Sequence, residues 1–342
     1  MATLTVKQDG SGDYTTIQAA LNAANTSDII EIQDSETYNE GELKRIKASL
    51  TLRAAAGQTP IIDGEDSKPT GVEFYNNWVV EGLTIRNFTG TGHNGAGLIA
   101  VAGNRTVTIN NCTVHSCDGD GISTLGVNSV VKNCTVFDIR GGRGIDAGVV
   151  QDITIKNCLV YDTFRDGIFA SNNGVVIEHC TIYNSNTDPA VAGYGIIATN
   201  GAVKYCIVVN PEREDGSHKT LVAGIRSTTS HNCVTGSAAG SGTGANYYGG
   251  PGTGDIQTDP LLSSGTFKVS VGSPTLGAAD GSTRIGNVDR EGTFVTWQID
   301  DFSVIGVSAA ATPNDMGSFE FKPTSVCGVK TENISKVLGT AV

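Results

Sequence analysis

Cysteines recurring about every 23 residues, a Gly-aliphatic pair recurring at the same period, and a composition rich in Gly, Asn, Thr and Val predict an all-β solenoid, a parallel β-helix. Cys112, Cys134, Cys158, Cys180, Cys206 and Cys233 lie 22, 24, 22, 26 and 27 residues apart. Each follows a turn residue and opens a short apolar run: Asn-Cys-Thr-Val at 111–114 and 133–136, Asn-Cys-Leu-Val at 157–160, His-Cys-Thr-Ile at 179–182, Tyr-Cys-Ile-Val at 205–208 and Asn-Cys-Val at 232–234. Strand alternation points all six the same way. They read as a stack of small, buried, reduced side chains and not as a metal or redox ladder, since no CxxC accompanies them and a free thiol packs as a small hydrophobe.

The second register is Gly97-Leu98, Gly121-Ile122, Gly144-Ile145, Gly167-Ile168, Gly195-Ile196 and Gly224-Ile225, spaced by 24, 23, 23, 28 and 29 residues. One such unit makes one coil, and neighbouring coils then pair as parallel strands about 4.8 Å apart. From each Cys to the next pair the distance is 9, 10 and 9 residues, then 15 and 18. The added length predicts two adjacent projecting loops, Tyr183–Tyr194 and Val209–Ala223, on a rigid scaffold.

Ile29–Ile32, Ser49–Leu52 and Gly82–Ile85 read as earlier, less regular coils, which starts the solenoid near residue 29. Ahead of it, Thr15 and Gln18 have the spacing of a capping box, and Ile17, Ala20, Leu21 and Ala24 recur at helical spacing. A short amphipathic helix is expected to plug the open end, which would otherwise expose core and strand edge. Past the coils, Gly236–Gly254 reads as a Gly/Ser/Ala-rich loop, and Phe267–Val271, Phe294–Ile299 and Phe302–Val307 as irregular cap strands. The expected organisation is therefore 1–28 strand and capping helix, 29–234 coils, 235–324 loop and C-terminal β cap, and 325–342 a terminal attachment segment.

The stretch Asp9-Gly10-Ser11-Gly12-Asp13-Tyr14-Thr15-Thr16-Ile17-Gln18-Ala19-Ala20-Leu21 is similar to the entry segment of pectin methylesterases and of the wider pectin-lyase-like superfamily. Asp259-Pro260-Leu261, Gly272-Ser273-Pro274 and Asp315-Met316-Gly317-Ser318-Phe319-Glu320 resemble closing motifs of right-handed β-helix repeat proteins. The resemblance, over about residues 4–321, implies an all-β right-handed parallel β-helix solenoid with an N-terminal capping helix and an irregular β C-terminal cap. It says little of function, because this fold carries lyases, hydrolases, esterases, epimerases and adhesins. The methylesterase resemblance stops at the entry segment. The active-site stretches of that family, the Arg-centred pattern of pectate lyases and the paired aspartates with Gly-His-Gly of polygalacturonases have no counterparts; His93, in Gly92-His93-Asn94-Gly95, reads as a turn residue. The last segment, with Val326-Cys327-Gly328-Val329 echoed by Val337-Leu338-Gly339-Thr340 around Asn333-Ile334-Ser335, resembles tail segments of bacteriophage structural proteins.

The residues preceding the Gly-aliphatic pairs are Ala96, Asp120, Arg143, Asp166, Tyr194 and Ala223, so Asp120, Arg143 and Asp166 are expected to stack on consecutive coils, with Asp146 and Arg165 nearby. Two carboxylates two coils apart lie roughly 9 to 10 Å from each other, near the wide limit for an inverting glycosidase pair. An Arg between them should keep both ionised, whereas a general acid needs a raised pKa. The same three residues also read as an exposed charge ladder worth about 0.2–1 kcal/mol per pair. Asp118-Gly119-Asp120 could give oxygens to Ca²⁺ but reads first as a turn. Glu212, Arg213, Glu214, Asp215 and His218 read as a solvated or partner-facing surface. Aromatic residues are only 6%, with Trp78 and Trp297 far apart, which counts against a sugar-binding groove.

With 35 acidic and 23 basic residues the formal charge is −12, which disfavours nucleic acid and anionic membranes, and no run reaches the ~20 apolar residues of a membrane span. No cofactor and no metal are expected. Met1–Gly12 lacks a basic segment followed by an apolar run, so the expectation is synthesis in a host cytoplasm, secretion being the alternative. The leading expectation is a non-enzymatic structural component of a bacteriophage virion, a capsid decoration or tail-associated protein, held to capsid or tail partners through Val326, Val329, Ile334, Val337 and Leu338. A closed homo-oligomer, with a trimer as the suited count, is expected to accompany it. The alternatives are a carbohydrate-active enzyme, either a tailspike depolymerase or a polysaccharide lyase or hydrolase acting on a surface glycan, and a bacterial adhesin.

Overall fold

The structure, a computed structural model, describes residues 1–262 except 45–48, 76, 92–94, 104–105, 149–150, 188–192, 210–221, 231, 236–251, 258–259 and 261. Three rows of short parallel strands wrap one core. The first row runs Thr3–Val6, Ile29–Ile32, Leu50–Ala54, Trp78–Glu81, Val107–Asn110, Val130–Lys132 and Thr154–Lys156, and continues in the long strands Ile168–Glu178, Gly193–Lys204 and Val222–Ser230. The second is a nine-stranded sheet that includes Thr84–Phe88, Thr113–Cys117, Thr135–Ile139 and Leu159–Thr163. The third includes Val72–Phe74, Leu98–Gly103, Ile122–Gly126 and Ile145–Asp146, and merges with the first through the long strands.

Alternation explains the core. Val80, Ile109, Val131 and Ile155 point inward from the first row, Ile85, Val114, Val136 and Val160 from the second, and Leu98, Ile122, Ile145 and Ile168 from the third; all are fully buried. At about 1.5–3 kcal/mol for each buried aliphatic side chain, this stack is the main stabilising term. The six ladder cysteines form the corner between first and second rows, buried and free as the sequence suggested, and Cys117 in the second row is buried and free too. Each of the first five thiols points at the carbonyl two residues back, at 3.2–3.4 Å. Burial pushes the thiols of Cys134, Cys158 and Cys180 well up, and Cys117 up to about 12, so none is a nucleophile.

The residue before each cysteine sits in the left-handed region, with φ of 53° at Asn111, 57° at Asn133, 56° at Asn157, 55° at His179 and 56° at Tyr205. That is why Asn recurs there, and the amides also bond one another: Asn133 Nδ2 donates to Asn110 Oδ1 (2.8 Å) and Asn157 Nδ2 to Asn133 Oδ1 (2.6 Å). The repeated glycines have a different cause, which is close approach. A Cβ at Gly144 would stand 2.4 Å from Val160 Cγ1 and 2.6 Å from the Gly167 carbonyl oxygen, and Gly121 meets Val136 in the same way.

Several expectations change. The helix is Ile17–Ala23, capped by Thr16 and not Thr15: the Thr16 hydroxyl accepts from Ala19 N at 3.3 Å. Gln18 closes no capping box; it bonds Asn22 and Lys44, while the Glu40 carboxylate takes the amides of Ile17 and Gln18 at 2.8 and 2.9 Å. Ile17, Ala20, Leu21 and Ala24 are buried, as their spacing implied. Pairing starts before residue 29, because Thr3–Val6 already lies alongside Ile29–Ile32, and it persists after 234, where Thr253 and Ile256 bridge to Ser230 and Cys233. Of the two loops, Asn186 and Thr187 still follow the coil below, bonding the carbonyls of Arg165 and Thr163, while 188–192 and 210–221, with Glu212–His218, lie outside the described residues. The cap strands from Phe267 onward, His93, Trp297 and the segment 325–342 also lie outside them.

The second row carries an external ring stack. His115 lies on Phe137 (4.6 Å between centroids, 9° between planes) and Phe137 on Tyr161 (4.8 Å, 1°). Stacked rings turn their faces to one another and their edges outward.

Two outcomes follow from this packing. Gly144→Ala should destabilise the chain by about 1–3 kcal/mol in denaturant unfolding, the cost of overpacking against Val160. Burial, then the neighbouring Arg86, lowers the pKa of His115 below its usual 6.5 in spite of Asp138 and Asp63. The folded chain therefore prefers neutral imidazole, and this contribution is complete above pH 6.5 and lost as pH falls through the lower folded value. Melting temperatures of wild type and His115→Phe, measured across that window, should diverge, with wild type falling more steeply.

Candidate functional site

The turn into the third row places the charged candidates. Gly97, Gly121, Gly144 and Gly167 donate their amides to the carbonyls of Asp120, Arg143, Asp166 and Tyr194, so the four turn residues do stack on consecutive coils. The side chains are arranged differently from the expected ladder. Asp120 Oδ1 accepts the backbone N–H of Arg143 (2.8 Å), and Asp166 Oδ1 accepts that of Tyr194 (2.8 Å): each Asp ties its own turn to the next coil. The Arg143 guanidinium binds Asp166 Oδ2 through Nε (2.9 Å) and Asp146 Oδ2 through Nη1 (2.6 Å). Asp146 Oδ1 is held by the Gly148 amide at 2.6 Å. Arg143 therefore bridges Asp146 and Asp166, and its backbone N–H binds Asp120.

The expectation of exposed charges also needs correcting. Asp146 is 0% exposed, Asp120 3% and Asp166 6%. The outward row of this face, Ile99, Ser123, Asp146 and Ile197, is buried, although alternation alone would send it to solvent. Phe169, next in register to Asp146, completes the group, with the Arg143 guanidinium carbon 3.9 Å from its ring centroid. Sequence reasoning missed Phe169; the signal was its place directly after Gly167-Ile168, one coil beyond Asp146. Burial alone would lower the pKa of Arg143, but the Asp146 and Asp166 carboxylates outweigh it and hold the guanidinium more firmly protonated than usual. Arg165, by contrast, is exposed, and its backbone makes the coil contacts. Asp118 pairs with Arg140 at 3.0 Å, and Arg140 reaches Asp66 and the Ser116 carbonyl as well, so the Asp118-Gly119-Asp120 turn is tied into the wall.

Chemically, this arrangement fixes a charge. Two of the five guanidinium donors are committed to Asp166 and Asp146, and Asp146, fully buried, is beyond the reach of a polymer on the surface. Removing a partner should be felt as stability. Asp146→Asn is expected to cost about 2–3 kcal/mol in denaturant unfolding, the penalty for breaking a buried pair discounted for the partial exposure of Arg143. Asp120→Asn, which keeps a carbonyl acceptor for the Arg143 amide, should cost less than 1 kcal/mol, the scale of a single weakened hydrogen bond. Equal costs would contradict the assignment.

The family described as right-handed β-helix region matches residues 70–252. No curated protein matches the chain. Among solved structures, it is similar to the pectate lyase Pel9A, with a TM-score of 0.55 and 14% identity over 95% of this chain and 90% of that one. It is also similar to an alginate lyase from Paenibacillus sp. str. FPU-7, with a TM-score of 0.54 and 13% identity over 75% of this chain and 98% of that one. At these identities the likeness is one of fold.

Proposed function

The chain belongs to the right-handed β-helix family, and from that premise we propose that it is a structural component of a bacteriophage virion, a projecting β-helix of the capsid surface or tail. The observation that carries the non-enzymatic part is the burial of Asp146 and Asp166 and their shared pairing with Arg143, which ties neighbouring coils together as a wall element. The particle assignment is supported by the resemblance of Ser325–Val342 to phage structural tails. Val326, Val329, Ile334, Val337 and Leu338 are the contacts proposed with capsid or tail partners. Buried together they would supply several kcal/mol at ~25 cal/mol per Å², before ordering costs. The second reading, a polysaccharide lyase or depolymerase, is favoured by the likeness in fold to a pectate lyase and an alginate lyase.

Truncation after Thr324 separates these readings. The shortened chain should melt as the full chain does and fail to bind particles lacking the protein; unchanged binding would sink the attachment role. In parallel, the full chain should leave pectate, alginate and bacterial surface glycans uncut. Turnover of any of them, abolished in Asp120→Asn or Asp166→Asn without loss of folding, would establish the enzyme instead.

A further inference from the structure

The outward side of the first row differs from the glycine side in being open: Val79 and Val176 are its most exposed apolar residues, at 37% and 36%. Two parallel files of side chains run up it. One is uncharged from end to end, from Thr3 through Ile29, Thr51 and Val79 to Val176 and Ala202. The other, two residues further along each strand, reads Thr5, Glu31, Arg53, Glu81, Asn110, Lys132, Lys156, Glu178, Lys204, Ser230 in strict register.

The order of that second file is complementary to its own reversal. Read against itself upside down, Glu31 faces Lys204, Arg53 faces Glu178, Glu81 faces Lys156, Asn110 faces Lys132 and Thr5 faces Ser230. Every charge except that of Lys132 meets its opposite, and Lys132 meets an amide. A slip of one coil destroys the match in either direction: one sets Arg53 against Lys204 and Glu81 against Glu178, the other Glu31 against Glu178 and Arg53 against Lys156. We propose that this face is the interface of a homodimer, in which a second copy lies antiparallel with the two-fold axis running along the strand direction, between Val107–Asn110 and Val130–Lys132.

That axis is the one the geometry selects. A rotation about the strand direction reverses the solenoid axis but keeps each strand position opposite itself, so the charged file lies over the charged file and the uncharged file over the uncharged one. A two-fold along the solenoid axis would instead lay charges over the partner's Thr/Val file. Self-complementarity of this kind is the mark of an isologous contact. The face also suits burial, because its charges already pair within the chain: Glu31 with Arg53 (2.7 Å), Lys156 with Glu178 (2.8 Å), and Asn110 with Glu81. Among the described residues, Lys132 and Lys204 have no carboxylate partner in their own chain, and the dimer gives Lys204 one. The file holds four basic and three acidic residues, hence +1, on a chain of net charge −12, so approach by other faces is repelled. Ten coils at about 4.8 Å and a width of ~12 Å give roughly 500 Å² per copy, at the small end for specific interfaces and suited to a reversible dimer. The inference stands independently of the virion reading, and it sets the count at two where the sequence suggested three.

Zero-length carbodiimide coupling of the full chain tests it, with peptide mapping. The carbodiimide adds to a carboxylate as an O-acylisourea, the lysine amine attacks the acyl carbon to form the amide, and the activating group leaves as its urea, carrying off the carboxylate oxygen. Glu31 and Lys204 are seven coils apart, roughly 34 Å within one chain, so an amide between them can only join two copies. The expected result is Glu31–Lys204 and Glu81–Lys156 amides in a concentration-dependent dimer that weakens as salt is added. Lys204→Glu should abolish the dimer and the cross-link, with melting lowered only by the cost of a second carboxylate beside Glu178, and the exchange Glu31→Lys with Lys204→Glu should restore the dimer and the cross-link. A wild-type chain that stays monomeric in light scattering at its highest soluble concentration overturns the proposal, as does a dimer whose cross-links map elsewhere. Should Lys204→Glu fail to fold, the wild-type cross-link map decides alone.

Discussion

Everything in this molecule answers to the stacking of each residue on its counterpart one coil away. The spacing of hydrogen-bonded strands, about 4.8 Å, leaves side chains at one position no neighbour closer than their own equivalents. Aliphatic side chains profit from that, since like stacked on like packs without gaps, and so do the thiols and the rings of His115, Phe137 and Tyr161. Charges cannot stack on their like without cost. Glu31 is followed by Arg53 and Lys156 by Glu178, each closed as an ion pair, while Lys132 against Lys156 is the exception that carries this cost. Arg143 belongs to the same rule, set between the turns of Asp120 and Asp166.

The same rule decides what could be read from the sequence. The cysteine and glycine registers were legible because they arise inside the repeat: a corner with room only for a small side chain, and a backbone approach that no Cβ could enter. The pairing of Thr3–Val6 was harder to read, since the first coils have neither marker. The helix cap was misplaced by one residue because its strongest partner, Glu40, lies on another coil, and no local motif announces a carboxylate that arrives from 22 positions away. The burial of Asp146 was illegible for a related reason. Alternation correctly puts it on the outer side of its strand, but whether that side meets water is a property of the whole fold. Phe169 went unnoticed because a lone aromatic residue means little until it is known to lie beside Arg143.

At the Arg143 cluster the charges pair inside the wall. The two outer faces divide accordingly. The glycine face closes over its charges, while the first-row face stays open and presents a complete pattern of charges to anything that can match it.

The sealed N-terminal end adds a mechanical consequence. Backbone hydrogen bonds between coils run nearly along the solenoid axis, so an axial load is carried through them one after another, and the end coil is the weakest link. Here that coil is not left bare. Thr3–Val6 is paired to Ile29–Ile32, the strand is bridged to Tyr14, and the helix that follows is tied by Glu40 to the next turn of the wall. To peel the first coil, these ties must be broken in addition to the strand pairing. The end fixed in this way should resist fraying under tension as a whipped rope end does.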